Sequence, residues 1–207
     1  MSPELRINNA PDDIGSSVSL TAYGPDGAQA STAPFQRRKG HVWNGGADSP
    51  FIPARGIEAG IAPGIAPTFA HLADIPATVM DLAGEAVAGI PAERDAITLR
   101  PLFSDAGSSL RAHADAVGCE HSYERVIRMG DWKAVFGTIN VSWVFPFEGP
   151  SVRWRLFELA SDQGETVDPA QKDPARLASM AKAWEAYADC VGDFIPPQLR
   201  GAASGAH

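Results

Sequence analysis

The chain has 207 residues, of which 44% are hydrophobic, 8% aromatic and 20% charged. This composition is typical of a globular protein and excludes a disordered tail, a coiled coil and a collagen-like repeat. The formal net charge of −8 argues against a cationic surface for nucleic acid, and no apolar run approaches the ~20 residues of a membrane span.

The first residues of the chain and its two cysteines predict a cytoplasmic location. Residues 1–9 are polar and lack the apolar stretch of a signal peptide. Cys119 and Cys190 lie far apart in the sequence, without the CxxC spacing. We expect two free thiols in a reducing compartment rather than one disulfide.

The N-terminal quarter of the chain has the composition of a loop. From Val18 to Ala54, glycine, proline and small residues recur, as at Gly24-Pro25 and Ala33-Pro34. A loop of that length is uncommon inside a compact domain. The sequence therefore predicts either a functional loop or a segment packed against something outside this chain.

A helix is predicted in the middle of the chain. Ile75, Val79 and Leu82 form one apolar stripe at helical spacing. Asp74 is a suitable N-cap before them, and Gly84 a suitable C-terminal stop after them. Further on, the short apolar patch from Leu99 to Phe103 is expected to dock against a neighbouring element.

Strands and one long helix are predicted in the C-terminal half. Arg125–Met129 and Trp132–Phe136 are strands joined by the two-residue turn Gly130-Asp131, and Trp154–Leu159 is a third strand. Pro174–Val191 is the clearest helix of the chain. Its apolar residues recur at spacings of three and four, at Leu177, Met180, Trp184, Tyr187 and Val191. This half is thus predicted to be α+β, a small antiparallel sheet packed by one amphipathic helix.

Nucleophile and metal motifs are weak in this sequence. Cys119 lies two residues from His121, but on an extended segment spacing alone does not make a nucleophile and base, so a packing role is favoured. Cys190 is most simply a packing residue of the long helix. The five histidines show no zinc-ligand spacing. Asp12-Asp13 could donate oxygens to a divalent cation, but helix capping or a solvated loop is the favoured interpretation.

The run from Arg37 to His41 is the only concentrated positive charge in this acidic chain. It is either a solvated patch or an anion site. A lysine ammonium is a compact point charge that suits a sulfate or phosphate oxygen.

Three segments, in order along the chain, resemble the sulfatase family. His71–Gly84 resembles a helix near the end of the large sulfatase domain, and Arg128–Val135 resembles the C-terminal hairpin of these enzymes. Leu156–Thr166 resembles their strand and turn, with Gln163 where the family usually has proline. Together these segments point to an arylsulfatase.

The resemblance extends backwards to a segment that carries an active-site lysine in bacterial arylsulfatases. Tyr23–Gly46 is similar to that segment, and its matching residue is Lys39. In the family this lysine contacts the sulfate group and helps to neutralise the leaving oxygen. The resemblance therefore implies that Lys39 is both a catalytic and a substrate-binding residue. The sequence that follows Gly46 differs from the family pattern, because an arginine that is usual there is missing.

Other parts of the family's active site have no counterpart here. No Cys/Ser-x-Pro/Ala-x-Arg motif, which supplies the formylglycine nucleophile, occurs in the chain. The family's Ca²⁺ ligands and catalytic histidines lie upstream of the matched region. The resemblance thus implies no cofactor held by this chain, Ca²⁺ in an intact relative, and no activity of the chain alone.

The resemblance implies an incomplete α/β, alkaline-phosphatase-like fold. Residues 1–103 would be the remainder of the large α/β domain, 104–195 the C-terminal α+β subdomain and 196–207 a flexible tail. Sulfate ester hydrolysis is the implied activity of the complete protein, with no nucleic acid or membrane partner. Two alternatives remain: a docking module or degenerate remnant that binds a missing N-terminal sulfatase segment, and a phosphate or phosphonate ester hydrolase on the same fold.

Overall fold

The computed structural model describes residues 6–7, 10–16, 19–20, 24–54, 63–85, 96–137 and 153–192. The chain divides into two compact units, one of Met1–Asp48 with Gly118–His207 and the other of Ser49–Val117. The domain boundaries implied for an intact relative, at 103/104 and 195/196, stay a prediction, and the expected flexible tail at 196–207 lies outside the described residues.

The first unit is built on a four-stranded sheet in the order β3-β4-β5-β6. Its elements are the parallel pair β1 (Arg6–Ile7) and β2 (Ser19–Leu20), helices α1 (Gly24–Thr32) and α2 (Asn44–Ala47), strands β3 (Ala116–His121), β4 (Glu124–Met129), β5 (Trp132–Gly137) and β6 (Arg153–Glu158), and helix α5 (Pro174–Val191). The expected α+β subdomain is therefore present, and each of the three predicted strands and the long helix is confirmed.

Local sequence explains the turns of this sheet. Strands β4 and β5 pair antiparallel with Met129 opposite Trp132, so Gly130 and Asp131 form the predicted two-residue turn, with Gly130 at φ +57°. A second tight turn, which the sequence analysis missed together with β3, joins β3 to β4. There Ser122 and Tyr123 both have positive φ, the backbone conformation that tight hairpins require.

Helix α5 covers one face of the sheet. Met180, Trp184 and Ala188 are its buried residues, and the helix contacts β4, β5 and β6. The Trp184 ring lies 6.2 Å from that of Trp154, and the guanidinium of Arg125 lies 4.9 Å from the Trp184 ring centroid. The cation of Arg125 is thus buried over aromatic surface, where a cation–π contact offsets part of its lost hydration.

The opposite face of the sheet is also covered, by the chain's own residues 41–44. Val42 and Trp43 are buried there with residues of three strands and the turn after β6, the full cluster being Val42, Trp43, Val126, Val135, Phe157 and Leu159. Because both faces are buried, β4, β5 and β6 show runs of buried residues rather than strict alternation. The prediction of loop throughout 18–54 is wrong, since α1 and α2 lie within it and its residues 41–44 belong to the core.

The second unit contains α3 (Asp74–Ala83) and α4 (Arg100–Ser104), which contact each other. Gly84 ends α3 in the left-handed conformation, as predicted. Asp74 is fully buried within the first turn rather than at the N-cap, and its carboxylate accepts two hydrogen bonds from Arg111, of 2.6 and 2.9 Å. Backbone N–H groups of His71 and Ile97 also donate to it.

The buried face of α3 differs from the predicted apolar stripe. Ala77 and Thr78 are buried, whereas Val79 is 59% exposed. The Thr78 hydroxyl accepts a hydrogen bond from the Leu99 backbone N–H at 2.8 Å, so polar contacts select this face. Of the Leu99–Phe103 patch predicted to dock, Leu99 is buried, whereas Leu102 and Phe103 are half-buried.

Candidate functional site

The candidate site is the basic loop, defined here as residues 36–45, with Lys39 exposed in its outer turn. The two ends of the loop meet, because the Gly45 N–H donates to the Gln36 carbonyl at 2.9 Å. The Thr32 hydroxyl at the end of α1 donates to the Arg37 carbonyl at 2.7 Å. The sequence-predicted site residue therefore lies in a closed and hydrogen-bonded loop of the first unit.

The two glycines after Asn44 make this closure sterically feasible. A Cβ on Gly45 would overlap the carbonyl oxygens of Arg37 and Gln36, and a Cβ on Gly46 would overlap those of Arg38 and His41. Any larger residue at either position would push the loop away from its base.

Glu165 is a buried residue that anchors the basic loop. This residue is 1% exposed and follows the turn after β6. Its carboxylate accepts a hydrogen bond of 2.7 Å from the Asn44 backbone N–H, and its own backbone carbonyl accepts one of 2.7 Å from the Gln36 side chain. One buried residue thus contacts both ends of the basic loop.

Lys133 on β5 completes this buried arrangement. Its Nζ lies 2.7 Å from Glu165 Oε1 and donates to Asn44 Oδ1 at 2.6 Å. Burial lowers the pKa of Lys133, and the nearby Glu165 carboxylate counteracts that shift. Burial likewise raises the pKa of Glu165, against the opposing effect of the Lys133 ammonium. Desolvation is thus the largest influence on both partners, so the ion pair is expected to specify geometry more than to add stability.

Glu124 fixes the middle of the loop. Its carboxylate accepts a hydrogen bond of 3.1 Å from the Val42 N–H, and its Oε2 lies 3.2 Å from His41 Nδ1, with both side chains buried. His41 is only two residues from Lys39 in the chain. The loop is therefore anchored on both sides of Lys39, to Glu124 and to Glu165.

Two arginines flank the Trp43 side chain that seats the loop on the sheet. The Arg37 and Arg155 guanidinium carbons lie 5.6 and 5.9 Å from the Trp43 ring centroid. Trp43 also contacts Phe157, with ring centroids 5.2 Å apart. Burial lowers the pKa of Arg37, which the Glu124 carboxylate counteracts. Arg37 and His41 of the basic run are thus engaged in contacts, with Trp43 and with Glu124 of β4, rather than simply solvated.

The other sequence candidates lie away from the basic loop. Cys119 and Cys190 are both free thiols of exposed residues, so the packing role predicted for each is wrong. Partial desolvation still raises the pKa of the Cys119 thiol, which opposes its use as a nucleophile. Asp12 and Asp13 lie in an exposed turn. Within the described ranges, no group of three or more His, Cys, Asp and Glu side chains could hold a metal ion.

Sequence reasoning did not assign roles to the residues that support Lys39. The resemblance drew attention to the segments that contain Lys133 and Glu165, but not to their contact. A charged lysine inside an otherwise apolar strand was the available signal, because such a residue needs a buried partner.

The resemblance to sulfatases noted in the sequence has a counterpart in a comparison with curated proteins. The chain is similar in sequence to part of a protein described as a sulfatase. It is 30% identical over 201 residues to an uncharacterised sulfatase of Schizosaccharomyces pombe, a match that covers 94% of this chain and 34% of that protein. The chain thus spans about a third of the length of the curated relative it matches. No family model matches the sequence.

Solved sulfatase structures show partial likeness. A Bacteroides thetaiotaomicron structure from work on glycosaminoglycan metabolism has a TM-score of 0.41 and 15% identity, and the match covers 55% of this chain and 24% of that one. Another solved structure, of a protein in complex with its substrate D-glucosamine-2-N,6-O-disulfate, has a TM-score of 0.38 and 17% identity, and the match covers 64% of this chain and 25% of that one. The likeness to the sulfatases therefore rests on the sequence match and not on these structures.

Proposed function

We propose that the chain is the C-terminal part of an enzyme that hydrolyses sulfate esters, and that Lys39 contacts the sulfate group. The observation that carries this proposal is the geometry of the basic loop. Asn44 near one end and Val42 in the middle donate to buried carboxylates, and Gln36 at the other end donates to the backbone carbonyl of Glu165, while Lys39 itself is exposed. An ammonium presented in this way is positioned by the fold yet accessible to a ligand.

The proposed chemistry of Lys39 is electrostatic. As the sulfur–oxygen bond breaks, negative charge develops on the bridging oxygen, and a lysine ammonium stabilises it. In bulk water two unit charges 4 Å apart interact by only about 1 kcal/mol. The effect grows when bound substrate excludes water from a preorganised site.

The nucleophile and Ca²⁺ are proposed to come from residues outside this chain. In an intact relative, Ca²⁺ would offset the charge of the sulfate. In the part of the chain that the structure describes, no residue is assigned to the ion. We accordingly expect no turnover of a sulfate ester by the chain alone.

The experiment begins with the DNA immediately upstream of the Met1 codon. An open frame there that encodes Cys/Ser-x-Pro/Ala-x-Arg and acidic metal ligands would supply the missing groups, and the complete protein would then be assayed on an aryl sulfate. Lys39→Ala should lower kcat/KM by about 10²–10³-fold, the usual effect of removing one group that stabilises developing charge. Lys172→Ala, at another exposed lysine, is the matched control. Equal activity of the two variants would overturn the role of Lys39.

The same assay separates sulfate from phosphate chemistry. An aryl phosphate with the same leaving group would be compared with the aryl sulfate. A higher kcat/KM for the sulfate ester supports the proposal. A preference for the phosphate ester would instead establish the alternative hydrolase on this fold.

A docking role is a second candidate, favoured by apolar side chains on the second unit. Ile52, Ile65 and Leu72 are 86%, 91% and 78% exposed. We propose that these residues meet the N-terminal part of a sulfatase. The isolated chain should then bind a hydrophobic dye in excess, and Leu72→Ser with Ile65→Ser should reduce that binding. Dye binding no greater than that of ordinary monomeric proteins would refute the docking surface.

Other expectations from the sequence stay predictions. No helix among the described residues is long and apolar enough to cross a membrane. The cytoplasmic location and the absence of a nucleic acid partner are proposed on the sequence alone.

A further inference from the structure

One residue that lies far away in the chain contacts the basic loop near both of its ends. Glu165 is 129 positions from Gln36 and 121 positions from Asn44, yet it hydrogen-bonds to both. These two residues are the ends of the segment that carries Lys39. A displacement of Glu165 therefore moves both ends of the loop together.

The bonds made by Glu165 use different parts of the residue. The side chain binds the Asn44 N–H, and the backbone carbonyl binds the Gln36 amide. The residue has a positive φ of 54°, a conformation that is uncommon for a side chain of this size. That conformation accompanies the arrangement in which carboxylate and carbonyl both reach the loop.

The side chain of Glu165 is itself fixed in direction. Lys133 Nζ lies 2.7 Å from Oε1, whereas Asn44 N–H binds Oε2. Lys133 also donates to the Asn44 side chain, and the Asn44 amide in turn donates to the Gln163 carbonyl at 3.0 Å. The carboxylate is thus held between a cation of the sheet and the end of the loop.

We propose that Glu165 is a positioning residue for Lys39: it sets the location of the lysine ammonium without contacting substrate. This inference rests on the proposed function, since it assigns a role to Glu165 through the sulfate-contacting lysine. Loss of its contacts should lower kcat more than it raises KM, because a misplaced ammonium fails to meet the developing charge while the rest of the binding site is retained.

The first test measures how well the loop amides are protected from hydrogen exchange in the full 207-residue chain. Hydrogen exchange at the loop amides, from Gln36 to Gly45, is compared in the wild type, Glu165→Gln and Gln36→Ala. The second variant keeps the buried ion pair intact, so it serves even where Glu165→Gln fails to fold. We expect exchange to be at least tenfold faster in both variants. Glu158→Gln, an exposed glutamate at the end of β6, is the matched control and should leave exchange unchanged. Unchanged exchange in Gln36→Ala would overturn the proposal.

The second test asks whether the effect passes through Lys39. In the complete enzyme, Gln36→Ala is made with Lys39 present and in a Lys39→Ala background. The proposal expects a loss of about tenfold or more in kcat with Lys39 present and less than twofold without it. Equal losses in both backgrounds, or no loss in either, would overturn it. A Lys39→Ala variant of full activity, together with faster loop exchange, would refute the proposed function while leaving the contacts of Glu165 intact.

Discussion

Replacing Lys133 with methionine removes the ammonium group that pairs with Glu165. The carboxylate of Glu165, a residue that is 1% exposed, is then left without a cation. Breaking a buried ion pair on one side typically costs about 3–5 kcal/mol, because the remaining charge is left without a partner. For a chain of this size each kcal/mol shifts the melting temperature by roughly 2–4 °C. The variant Lys133→Met should therefore unfold at a much lower temperature than the wild type.

Removing both charges should recover much of this loss. In Lys133→Met/Glu165→Gln the glutamine oxygen can still accept the Asn44 N–H, and replacing both partners of a buried ion pair is often nearly neutral. The Asn44 side-chain oxygen loses its donor, which costs about 1–3 kcal/mol. We expect the double variant to regain at least half of the stability that the single variant loses.

The pH dependence of the single variant has a defined sign. Burial raises the pKa of Glu165 above its unfolded value, so the protonated carboxyl favours the folded state. This contribution is fully present below the unfolded pKa, about 4.3 for glutamate, and is lost as pH rises through the folded pKa. Without Lys133 the pKa is raised further, so the loss on going to neutral pH should be larger than in the wild type. The double variant lacks the carboxyl group and should therefore not show this loss of stability at neutral pH.

The measurement is urea unfolding followed by tryptophan fluorescence, at about pH 4 and pH 7, with Lys172→Met as the exposed control. A free energy of unfolding for Lys133→Met within about 1 kcal/mol of that of the wild type at pH 7 would contradict the expected cost of breaking the buried ion pair. A double variant no more stable than the single one would refute it as well.

Three further outcomes are expected. Gly45→Ala should cost about 1–3 kcal/mol in urea unfolding, since its Cβ would overlap backbone oxygens of the basic loop, whereas Gly64→Ala has room and should change stability by less than about 0.5 kcal/mol. Arg111→Met should cost about 3–5 kcal/mol because it leaves the buried Asp74 carboxylate without its cation, and a loss below about 1 kcal/mol would contradict this. Because desolvation raises the pKa of Cys119, its alkylation at pH 8, followed by peptide mass spectrometry, should be slower in the folded chain than in urea; equal rates would contradict that shift.

Elements with local causes could be predicted from the sequence. The β4–β5 hairpin follows from two apolar strands around Gly130-Asp131, and α5 follows from its apolar spacing between Pro174 and Gly192. Both depend on residues close together in the chain. The second turn, at Ser122 and Tyr123, lacks glycine, and its positive φ values are set by the pairing of β3 with β4 rather than by residue type.

Elements with long-range causes could not be predicted in the same way. The small residues around Val42 and Trp43 have the composition of a loop, and only their packing on the sheet makes them core. The partner of Lys133 lies 32 positions further along, beyond any local periodicity. The charge of residues 37–41 left a solvated patch and an anion site open, the family resemblance singled out Lys39 among them, and its assignment to the sulfate site stays a prediction.

The reach of Glu165 across the chain has a consequence for biosynthesis. When Gln36 is added to the growing chain, the residue that will bind its side chain is still 129 positions from being made. At roughly 5–20 residues per second, the lysine-bearing segment waits about 6–26 s before Glu165 is added. Nascent or prematurely terminated chains therefore contain Lys39 but lack the contacts by which Glu165 is proposed to position it. The proposed active site can therefore form only after the turn that precedes Glu165 has been synthesised. A protein that ends before this turn is expected to contain Lys39 without its proposed function.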